Sequence, residues 1–427
     1  MTFLLLMVAL VALLYAGMPM FAGLFLLSLG VLWATEGTVA ALGEQVFNQL
    51  DGYLLVAIPL FMLMAHVMVR GRVVDDLYAA AFAVLKRVRG GVGIATVLAC
   101  TVFAAISGSS VATALTVGKI AIPQMLRYGM SRRGAFGVVA VGGTLGILIP
   151  PSAPMVLYAY ITETSVSALF AAGLIPGLLM AAAFALYCMA TEGKAAAPEN
   201  DTAEPQADTK TLSRSLWALS LPAFVLGGIY FGIFTATEAA GTGTLYALVI
   251  SALVYRAVSL RDLWQGVEDA ARTASMLLMI IVGAAVYGYM LTKLRIPQQL
   301  TELVVAWGVG RLGFLIMVMV LVFVLGLVLE SFSIILVTMP VIMPVMNQLA
   351  IDPVWYGVLL TLNLEMALIS PPVALNLVVI KAITGAPMSE VNRSILPYML
   401  ILAGGLALLI CYPGVALWLP RTLGYGG

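Results

Sequence analysis

Long apolar segments, separated by short polar or glycine- and proline-rich stretches, run through almost the whole sequence. In the first half, the apolar runs typical of membrane helices are 4–15, 19–33, 53–69 and 168–190. Apolar and charged residues alternate at helical spacing over 73–86, which predicts an amphipathic helix that lies on the membrane surface. The stretch 193–212 is rich in Ala, Pro, Asp and Glu, and is predicted to be a polar linker.

Two shorter apolar runs, 92–106 and 111–125, are each about 15 residues long, which is short for a membrane span. Ser107-Gly108-Ser109-Ser110 joins them, and basic residues lie at both of their outer ends. We interpret the pair as a re-entrant helical hairpin, which enters and leaves the membrane on one side. Two thin full spans are the alternative.

A helix broken by prolines follows this hairpin. It consists of 134–148 and 151–161, interrupted at Pro150-Pro151, because successive prolines remove amide donors and clash with the preceding helical turn. Irregular backbone at membrane depth is tolerated only where protein or a water-filled cavity covers it. The hairpin tip and this break therefore predict a binding site.

The second half of the sequence repeats this plan. The predicted elements are spans 216–234 and 238–255, an interfacial segment 260–271, a span 275–291, a surface helix 297–307, a hairpin 314–329 with 334–346, a broken helix 354–369 with 373–383, and a final span 395–419. A constant offset of 221 residues (331 − 110) places Ser110 on Ser331, Pro123 on Pro344, Met125 on Met346, Pro150 on Pro371 and Pro151 on Pro372. The coincidence of hairpin tip, hairpin exit and helix break indicates an internal structural repeat.

Composition supports a membrane protein. Of the 427 residues, 62% are hydrophobic and 10% are charged, and the mean hydropathy is +1.08, which excludes a water-soluble globular protein. The length allows on the order of ten to twelve membrane segments. A net charge of +1 gives no global attraction to nucleic acid, and the three cysteines lie too far apart in the sequence to predict a transition-metal site.

The distribution of basic residues predicts the orientation of the chain. In this topology most Lys and Arg residues fall on one side, and Lys293, Arg295, Arg311 and Arg421 fall on the other. The first side is therefore predicted to be cytoplasmic, with both termini outside. The two hairpins then open to opposite faces, so the repeats are inverted, as in many secondary transporters.

The predicted fold is thus an all-α polytopic membrane protein with inverted repeats, two re-entrant hairpins and two proline-broken helices. We assign 1–91 and 215–311 to a scaffold with one arm helix each, and 191–214 to a cytoplasmic linker. Residues 92–190 and 312–427 form the two repeat cores of a transport domain, which is expected to slide as a body in the manner of an elevator.

Each hairpin tip exposes a helix N-terminus, which favours anions, beside unwound carbonyl groups, which favour sodium. On the side of the first hairpin the candidate residues for sodium and substrate are Ser107, Gly108, Ser109, Ser110, Gly143, Thr144, Gly146, Ile149 and Pro150. On the side of the second hairpin they are Glu330, Ser331, Ser333, Asn363, Glu365, Ser370 and Pro371. The alternative for the small residues among them is tight helix packing.

Several ionisable residues allow two interpretations each. Glu330 and Glu365 either bind a cation or carry a proton, and Glu238 either has a function or caps a helix. His66 is more typical of a packed or interfacial group than of a proton relay. Lys119 either extends to the cytoplasmic interface, which we prefer, or meets an anionic substrate. The sequence has one histidine and no Walker-type glycine loop, so we predict no enzyme and an ion gradient as the energy source.

A set of ordered motifs closely resembles the large membrane subunit of tripartite ATP-independent periplasmic (TRAP) transporters, the DctM-like family of the ion-transporter superfamily. These motifs are Ser107-Gly108-Ser109, Ile122-Pro123, Gly142-Gly143-Thr144-Leu145-Gly146, Ile149-Pro150-Pro151-Ser152, Thr237-Glu238-Ala239-Ala240, Pro340-Val341-Ile342-Met343-Pro344, Ile351-Asp352-Pro353 and Ser370-Pro371-Pro372-Val373. The sequence departs from the family pattern at Lys119, Glu330, Ser370 and Ala374, where a small residue, aspartate, threonine and glycine are common.

The resemblance implies a sodium-driven elevator-type importer of organic acids in the bacterial inner membrane, with no cofactor apart from Na+ as coupling ion. It also implies two partners, a periplasmic substrate-binding protein and a small DctQ-like membrane subunit, which is expected to be a separate chain. The alternative is a carboxylate carrier of the same superfamily, coupled to sodium or protons, that needs no binding protein.

Overall fold

The computed structural model describes residues 2–71, 73–193, 209–256, 258–371 and 374–425, and every regular element in these ranges is helical. The helices are α1 Thr2–Tyr15, α2 Met20–Glu36, α3 Leu42–Leu50, α4 Ala57–Arg70, α5 Val73–Leu85, α6 Gly91–Ser107, α7 Ser110–Arg127, α8 Arg132–Leu148, α9 Ala153–Thr162, α10 Val166–Thr191 and α11 Thr209–Tyr230. They continue as α12 Ala236–Val249, α13 Leu260–Lys293, α14 Ile296–Ala306, α15 Arg311–Gly326, α16 Ser331–Gln348, α17 Pro353–Leu368, α18 Leu375–Thr384, α19 Met388–Ser394, α20 Leu396–Cys411 and α21 Gly414–Thr422.

A 3₁₀ turn, Tyr53–Val56, precedes α4, and a π-helical segment, Ile250–Tyr255, follows α12. Seven of the described helical stretches are long and apolar enough to cross a membrane. They are Tyr53–Arg70, Arg132–Thr162, Val166–Thr191, Ala236–Tyr255, Leu260–Lys293, Ser331–Gln348 and Met388–Cys411. The prediction of an all-helical polytopic membrane protein is confirmed, whereas the re-entrant path of the two hairpins stays a prediction.

Short polar residues in the loops determine where several helices begin. Asp352 Oδ1 accepts hydrogen bonds from two amides of the first turn of α17, those of Val354 (2.8 Å) and Trp355 (3.0 Å). Before α12, Thr235 Oγ1 accepts from the Glu238 amide, and Glu238 Oε2 accepts from the Thr235 amide (2.8 Å). Glu238 is therefore a helix cap, as one of its two interpretations proposed.

Two predicted boundaries in the second half were wrong. The interfacial segment 260–271 and the span 275–291 are one continuous helix, α13, because the residues between them include polar groups but no proline or glycine to stop a helix. The final span 395–419 is in fact two helices, α20 and α21, because Pro413 and Gly414 interrupt it after Cys411.

The predicted polar linker lies mostly outside the described residues, which resume at the start of α11. That helix begins at Thr209, so the last four residues of the predicted linker, 209–212, are helical. The amphipathic helix predicted over 73–86 is α5, and it has an apolar face, since Val74, Tyr78 and Phe82 are buried.

The helices form two packed groups. In the first, α4 packs on α12 and α13, and α2 packs on α13. In the second, α8 lies between α6 and α7 and also contacts α17, while α18 from the second half of the sequence packs on α7 from the first half. The groups meet where α4 contacts α6 and where α13 contacts α16. Their assignment to a fixed scaffold and a moving domain stays a prediction.

Candidate functional site

The tip of the first hairpin is held against the break of the first broken helix. Gly108 ends α6 in a left-handed conformation (φ 56°), and Ser109 then begins α7 by accepting a hydrogen bond from the Ala112 amide (3.4 Å). A Cβ atom on Gly108 would lie 2.9 Å from the carbonyl oxygen of Pro151. Both the conformation and the space therefore require glycine at this tip.

Two glycines of α8 allow the start of α7 to approach the helix backbone. A Cβ atom on Gly143 would lie 2.9 Å from the Ser110 carbonyl oxygen, and one on Gly146 would lie 3.3 Å from Ser109 backbone atoms. The glycine motif thus has a packing role, which was the alternative interpretation, and this packing also brings the tip of the hairpin to α8.

Hydroxyl groups at the first tip form a short network. Ser107 Oγ and Thr113 Oγ1 are 2.8 Å apart, and Thr113 Oγ1 also donates to the Ser109 carbonyl oxygen (2.8 Å). Thr144, one of the predicted ligands, is fully buried and donates its hydroxyl hydrogen to the Val141 carbonyl within its own helix (2.8 Å). Its lone pairs remain available as acceptors.

The tip of the second hairpin has polar atoms without partners. Glu330 lies in extended conformation immediately before α16, and its side chain makes no capping bond. Glu330 Oε1 and Ser333 Oγ are buried and have no hydrogen-bond partner among the described residues. Unpaired buried oxygen atoms are costly, which makes them candidates for contact with a ligand.

The residues near the second break occupy different environments. Asn363 Nδ2 donates to the Met319 carbonyl oxygen (2.7 Å), so this side chain attaches α17 to α15. Ser370 Oγ donates to the Met366 carbonyl (2.7 Å). Glu365 is fully buried, and neither carboxylate oxygen has a hydrogen-bond partner among the described residues. Pro371 is exposed.

A cleft of about 440 Å³ lies between the two hairpin tips and the first helix group. On one side it is lined by Ser107–Ala112, Glu330–Phe332, Leu368 and Leu375, among others. On the other side it is lined by residues of α4, including His66, and by Thr273, Met276 and Leu277 of α13. The cleft joins both repeats and is large enough for a small organic molecule.

A second cavity of about 780 Å³ lies on the other side of the second tip. Its lining comes from α1 and α2, from 324–330 except residue 327, and from Ser333, Ala367 and Ala374. Glu330, Leu368 and Leu375 line both cavities. Glu330 at the second tip therefore borders both spaces.

The structure brings together only part of the predicted set. Ser107, Gly108, Ser109, Ser110, Glu330 and Ser331 line the cleft. Gly143 and Gly146 lie behind the first tip, and Ser333 faces the second cavity. Besides these three, the predicted residues that do not line the cleft in this conformation are Thr144, Ile149, Pro150, Asn363, Glu365, Ser370 and Pro371. Lys119 is exposed and also lies outside the lining, so it does not meet the contents of the cleft in this conformation.

Sequence reasoning missed two residues. His66 was interpreted as a packed or interfacial group and was not placed at the site, and it lines the cleft from α4 as the one ionisable nitrogen among the described lining residues. Asn376 was not considered, yet it donates hydrogen bonds to Ser110 Oγ (2.8 Å) and to the Ala140 carbonyl (3.0 Å). A polar residue directly after a helix break was the available signal for Asn376.

The chemistry of this arrangement is that of oxygen atoms. Hydroxyl, carbonyl and carboxylate oxygens at the tips suit hard cations such as sodium, and the two helix N-termini suit a carboxylate. Among the described residues, no group of three His, Cys, Asp or Glu side chains is placed to hold a metal ion.

Comparison with known proteins identifies the family of this chain. The family "Tripartite ATP-independent periplasmic transporter, DctM component" matches residues 6–415. The chain is 39% identical over 400 residues, 93% of each chain, to the C4-dicarboxylate TRAP transporter large permease protein DctM of Pseudomonas aeruginosa. It is 30% identical over 416 residues, 97% of each chain, to the sialic acid TRAP transporter large permease protein SiaM of Vibrio cholerae.

Two further comparisons concern chain length and fold. An isethionate TRAP transporter permease protein, DctMQ of Oleidesulfovibrio alaskensis, is 29% identical over 408 residues, which are 95% of this chain and 64% of that protein. The solved structure of MtrF of Neisseria gonorrhoeae, described as an antimetabolite efflux pump, shares the fold with a TM-score of 0.67 at 14% identity, covering 89% of this chain and 85% of that one. From the family match and the near full-length relatives, the chain belongs to the DctM family, the large permease component of tripartite ATP-independent periplasmic transporters.

Proposed function

We propose that this chain is the large permease subunit of a sodium-coupled transporter that imports an organic acid across the bacterial inner membrane. The observation that carries the proposal is the cleft bounded by both hairpin tips on one side and by α4 and α13 on the other. A substrate held there would contact both repeats, as expected for a secondary transporter with a site near the membrane midplane.

Sodium as the coupling ion is supported by the unpaired oxygen atoms at the second hairpin and its break. Glu330 Oε1, Ser333 Oγ and both carboxylate oxygens of Glu365 are buried without partners among the described residues. Hydroxyl, carbonyl and carboxylate oxygens are hard ligands, and hard cations prefer such ligands over nitrogen or sulfur. In our proposal one ion lies behind each tip, and the substrate lies between the tips.

An elevator movement is supported by the way the helix groups meet. The hairpins and broken helices pack into one group through α8, while α4 and α13 form the opposite wall of the cleft. In our proposal the second helix group, which contains the hairpins and the broken helices, slides as a body against the first group, which contains α4 and α13. The cleft is then presented alternately to each side of the membrane, and the second tip, at Glu330, is one of the barriers.

An organic acid, with a C4-dicarboxylate as the first choice, is our proposed substrate class, by analogy with the name of the Pseudomonas aeruginosa relative. Our proposed partners are a periplasmic substrate-binding protein and a separate DctQ-like small subunit, in keeping with the tripartite family description. The lipid bilayer is the remaining partner, and in our proposal both termini face the periplasm.

The second candidate is a stand-alone carboxylate carrier coupled to sodium or protons. The fold does not distinguish it from the first candidate, because the MtrF structure, described as an efflux pump, is similar along most of its length. The experiment is uptake of labelled succinate into proteoliposomes under an imposed sodium gradient. It is performed with this chain alone, with the small subunit, and with both the small subunit and the binding protein.

We expect uptake only when all three components and the sodium gradient are present. Full uptake by this chain alone would favour the stand-alone carrier, and uptake that is indifferent to sodium would remove the ion assignment. In the complete system, Ser109→Ala and Ser370→Ala should each raise the sodium concentration needed for half-maximal uptake. An unchanged sodium titration would exclude that residue from the ion sites.

A further inference from the structure

Asn376 joins the two repeats at the first hairpin tip. It is the second residue of α18, directly after the second break, and it is fully buried. Its Nδ2 atom donates to Ser110 Oγ at 2.8 Å and to the Ala140 carbonyl oxygen at 3.0 Å. Asn376 and Ser110 are 266 residues apart in the sequence, so one amide group connects the second broken helix to the first hairpin.

The chemistry of the partners fixes the orientation of this amide. A backbone carbonyl accepts hydrogen bonds and never donates them, so the nitrogen of Asn376, and not its oxygen, must face Ala140. Both hydrogens of the NH₂ group are then used, one for each repeat-1 helix. Oδ1 consequently points away from these two partners, and it is buried without a partner among the described residues.

The bond from Asn376 also restricts the Ser110 hydroxyl. Ser110 is 4% exposed, lies in the first turn of α7 and lines the cleft. A hydroxyl group has two lone pairs and one hydrogen. The bond from Asn376 occupies one lone pair of the Ser110 hydroxyl. The remaining lone pair and the hydrogen can then take fewer rotational positions, so the lone pair available to a cation has a restricted direction.

We propose that Asn376 is a positioning residue for the cation site at the first hairpin tip, which it orders by holding Ser110 and α8 at a fixed separation. This inference rests on the proposed function, since it takes Ser110 as part of a sodium site. It adds that the site of one repeat depends on a side chain of the other. A displacement of α18 would then weaken ion binding at the first tip.

The test uses the full chain, purified with its small subunit in lipid nanodiscs, and measures thermal unfolding against increasing NaCl with choline chloride keeping ionic strength constant. A ligand that binds only the folded state stabilises it by RT ln(1 + c/Kd) at a free ligand concentration c, so the unfolding temperature begins to rise once the sodium concentration passes its Kd. This readout does not depend on uptake. The main variant is Asn376→Asp, which keeps the shape of the side chain and replaces the donor nitrogen with an acceptor oxygen.

We expect the sodium Kd fitted to the rise in unfolding temperature to increase at least about tenfold in Asn376→Asp, because both donated bonds are lost. An added carboxylate that bound the ion directly would instead strengthen the sodium response. A sodium response that is unchanged or stronger therefore overturns the inference. Thr361→Val is the matched control, because Thr361 is a buried residue of the same helix group that bonds only the Gly357 carbonyl of its own helix (2.7 Å).

Ser110→Ala and the double variant with Asn376→Ala give a second test, which does not require a buried carboxylate. If Asn376 acts through Ser110, the double variant should have the same sodium response as Ser110→Ala alone. Losses of sodium affinity that add fully would show independent roles and overturn the inference.

A wild-type complex without any sodium response would overturn the sodium assignment together with this inference. A responsive wild type with an unaffected Asn376→Asp variant would overturn the inference alone.

Discussion

Replacement of Gly143 by alanine tests the contact between the first hairpin and α8. The added Cβ atom would lie 2.8 Å from Ala114 Cβ, 2.9 Å from the Ser110 carbonyl oxygen and 3.2 Å from the Ala114 nitrogen. Ordinary van der Waals contact begins near 3.4 Å. Because these atoms belong to the α7 backbone or adjoin it, no flexible side chain can move aside, and α7 must shift.

The magnitude follows from those distances. Moving Ala114 Cβ from 2.8 Å to 3.4 Å displaces α7 by about 0.6 Å, and a gap of ~0.5–1 Å forfeits about a quarter to a half of the contact energy of the atoms that face it. Overpacking of this kind costs about 1–3 kcal/mol. The higher helix propensity of alanine offsets about 1 kcal/mol of this cost. Two of the three distances are below 3.0 Å, which places the overpacking cost in the upper part of its range at about 2–3 kcal/mol. We therefore expect a net destabilisation of about 1–2 kcal/mol.

The control is Gly404→Ala in the exposed part of α20, where the added Cβ atom has no neighbour within 4 Å. This variant has the same gain in helix propensity without the clash, so its stability should rise by up to about 1 kcal/mol. The two variants should thus shift the unfolding temperature in nanodiscs in opposite directions. Sodium-driven succinate uptake by the complete system should fall in Gly143→Ala only. A Gly143→Ala variant with wild-type stability and uptake would refute the close approach of α7 to α8.

The remaining predictions concern three other residues. Ala374 has a left-handed backbone conformation (φ 39°, ψ 67°), which costs an L-residue about 1–2 kcal/mol, so Ala374→Gly should raise the unfolding temperature. A lower unfolding temperature in this variant would show that the turn is not strained. His66→Leu should raise the substrate concentration for half-maximal uptake about tenfold, because the cleft loses a nitrogen donor worth about 1.5 kcal/mol. His66→Gln should retain more of the affinity, and the unfolding temperature of both variants should change little. Equal uptake by both variants and the wild type would contradict contact between His66 and the substrate. Arg70 donates hydrogen bonds to Gln265 and to Asp269 at 2.8 Å each, so Arg70→Ala should lower the free energy of unfolding by about 1 kcal/mol. Arg70→Lys should lower it by less but measurably, because an ammonium group lacks the forked geometry that makes both bonds. A lysine variant as stable as the wild type would show that the second of these two bonds contributes no stability.

The hairpin tips and helix breaks were predictable because local backbone chemistry determines them. Gly108 has a left-handed conformation that glycine adopts at low cost, and Pro150 and Pro151 cannot continue a helix. The offset of 221 residues then placed the second set. The prediction failed at α13, which was divided into an interfacial segment 260–271 and a span 275–291 although residues 272–274 contain neither proline nor glycine.

Only some of the residues that line the cleft could be predicted from the sequence. Ser107 to Ser110 line it because they are the tip itself, but Glu365 and Ser370, which share the polar character of the tip, do not. Whether a polar side chain on a helix faces a cavity or another helix depends on rotation and on neighbours far along the sequence. His66 shows the converse, since a lone histidine in an apolar helix has no local pattern that indicates a cleft.

The sequence by itself determined the elements of this protein: its membrane class, the two helix pairs with a polar tip, and the two helix breaks. Each depends on local properties, such as hydrophobic length, glycine conformation and the missing proline amide. The inverted relation of the two halves stays a prediction. Only the tertiary structure decided that Asn376 reaches Ser110, that His66 lines the cleft, and that Glu330 lines two cavities. These contacts join residues up to 266 positions apart, and they arise from the packing of one repeat against the other, which no local sequence pattern records.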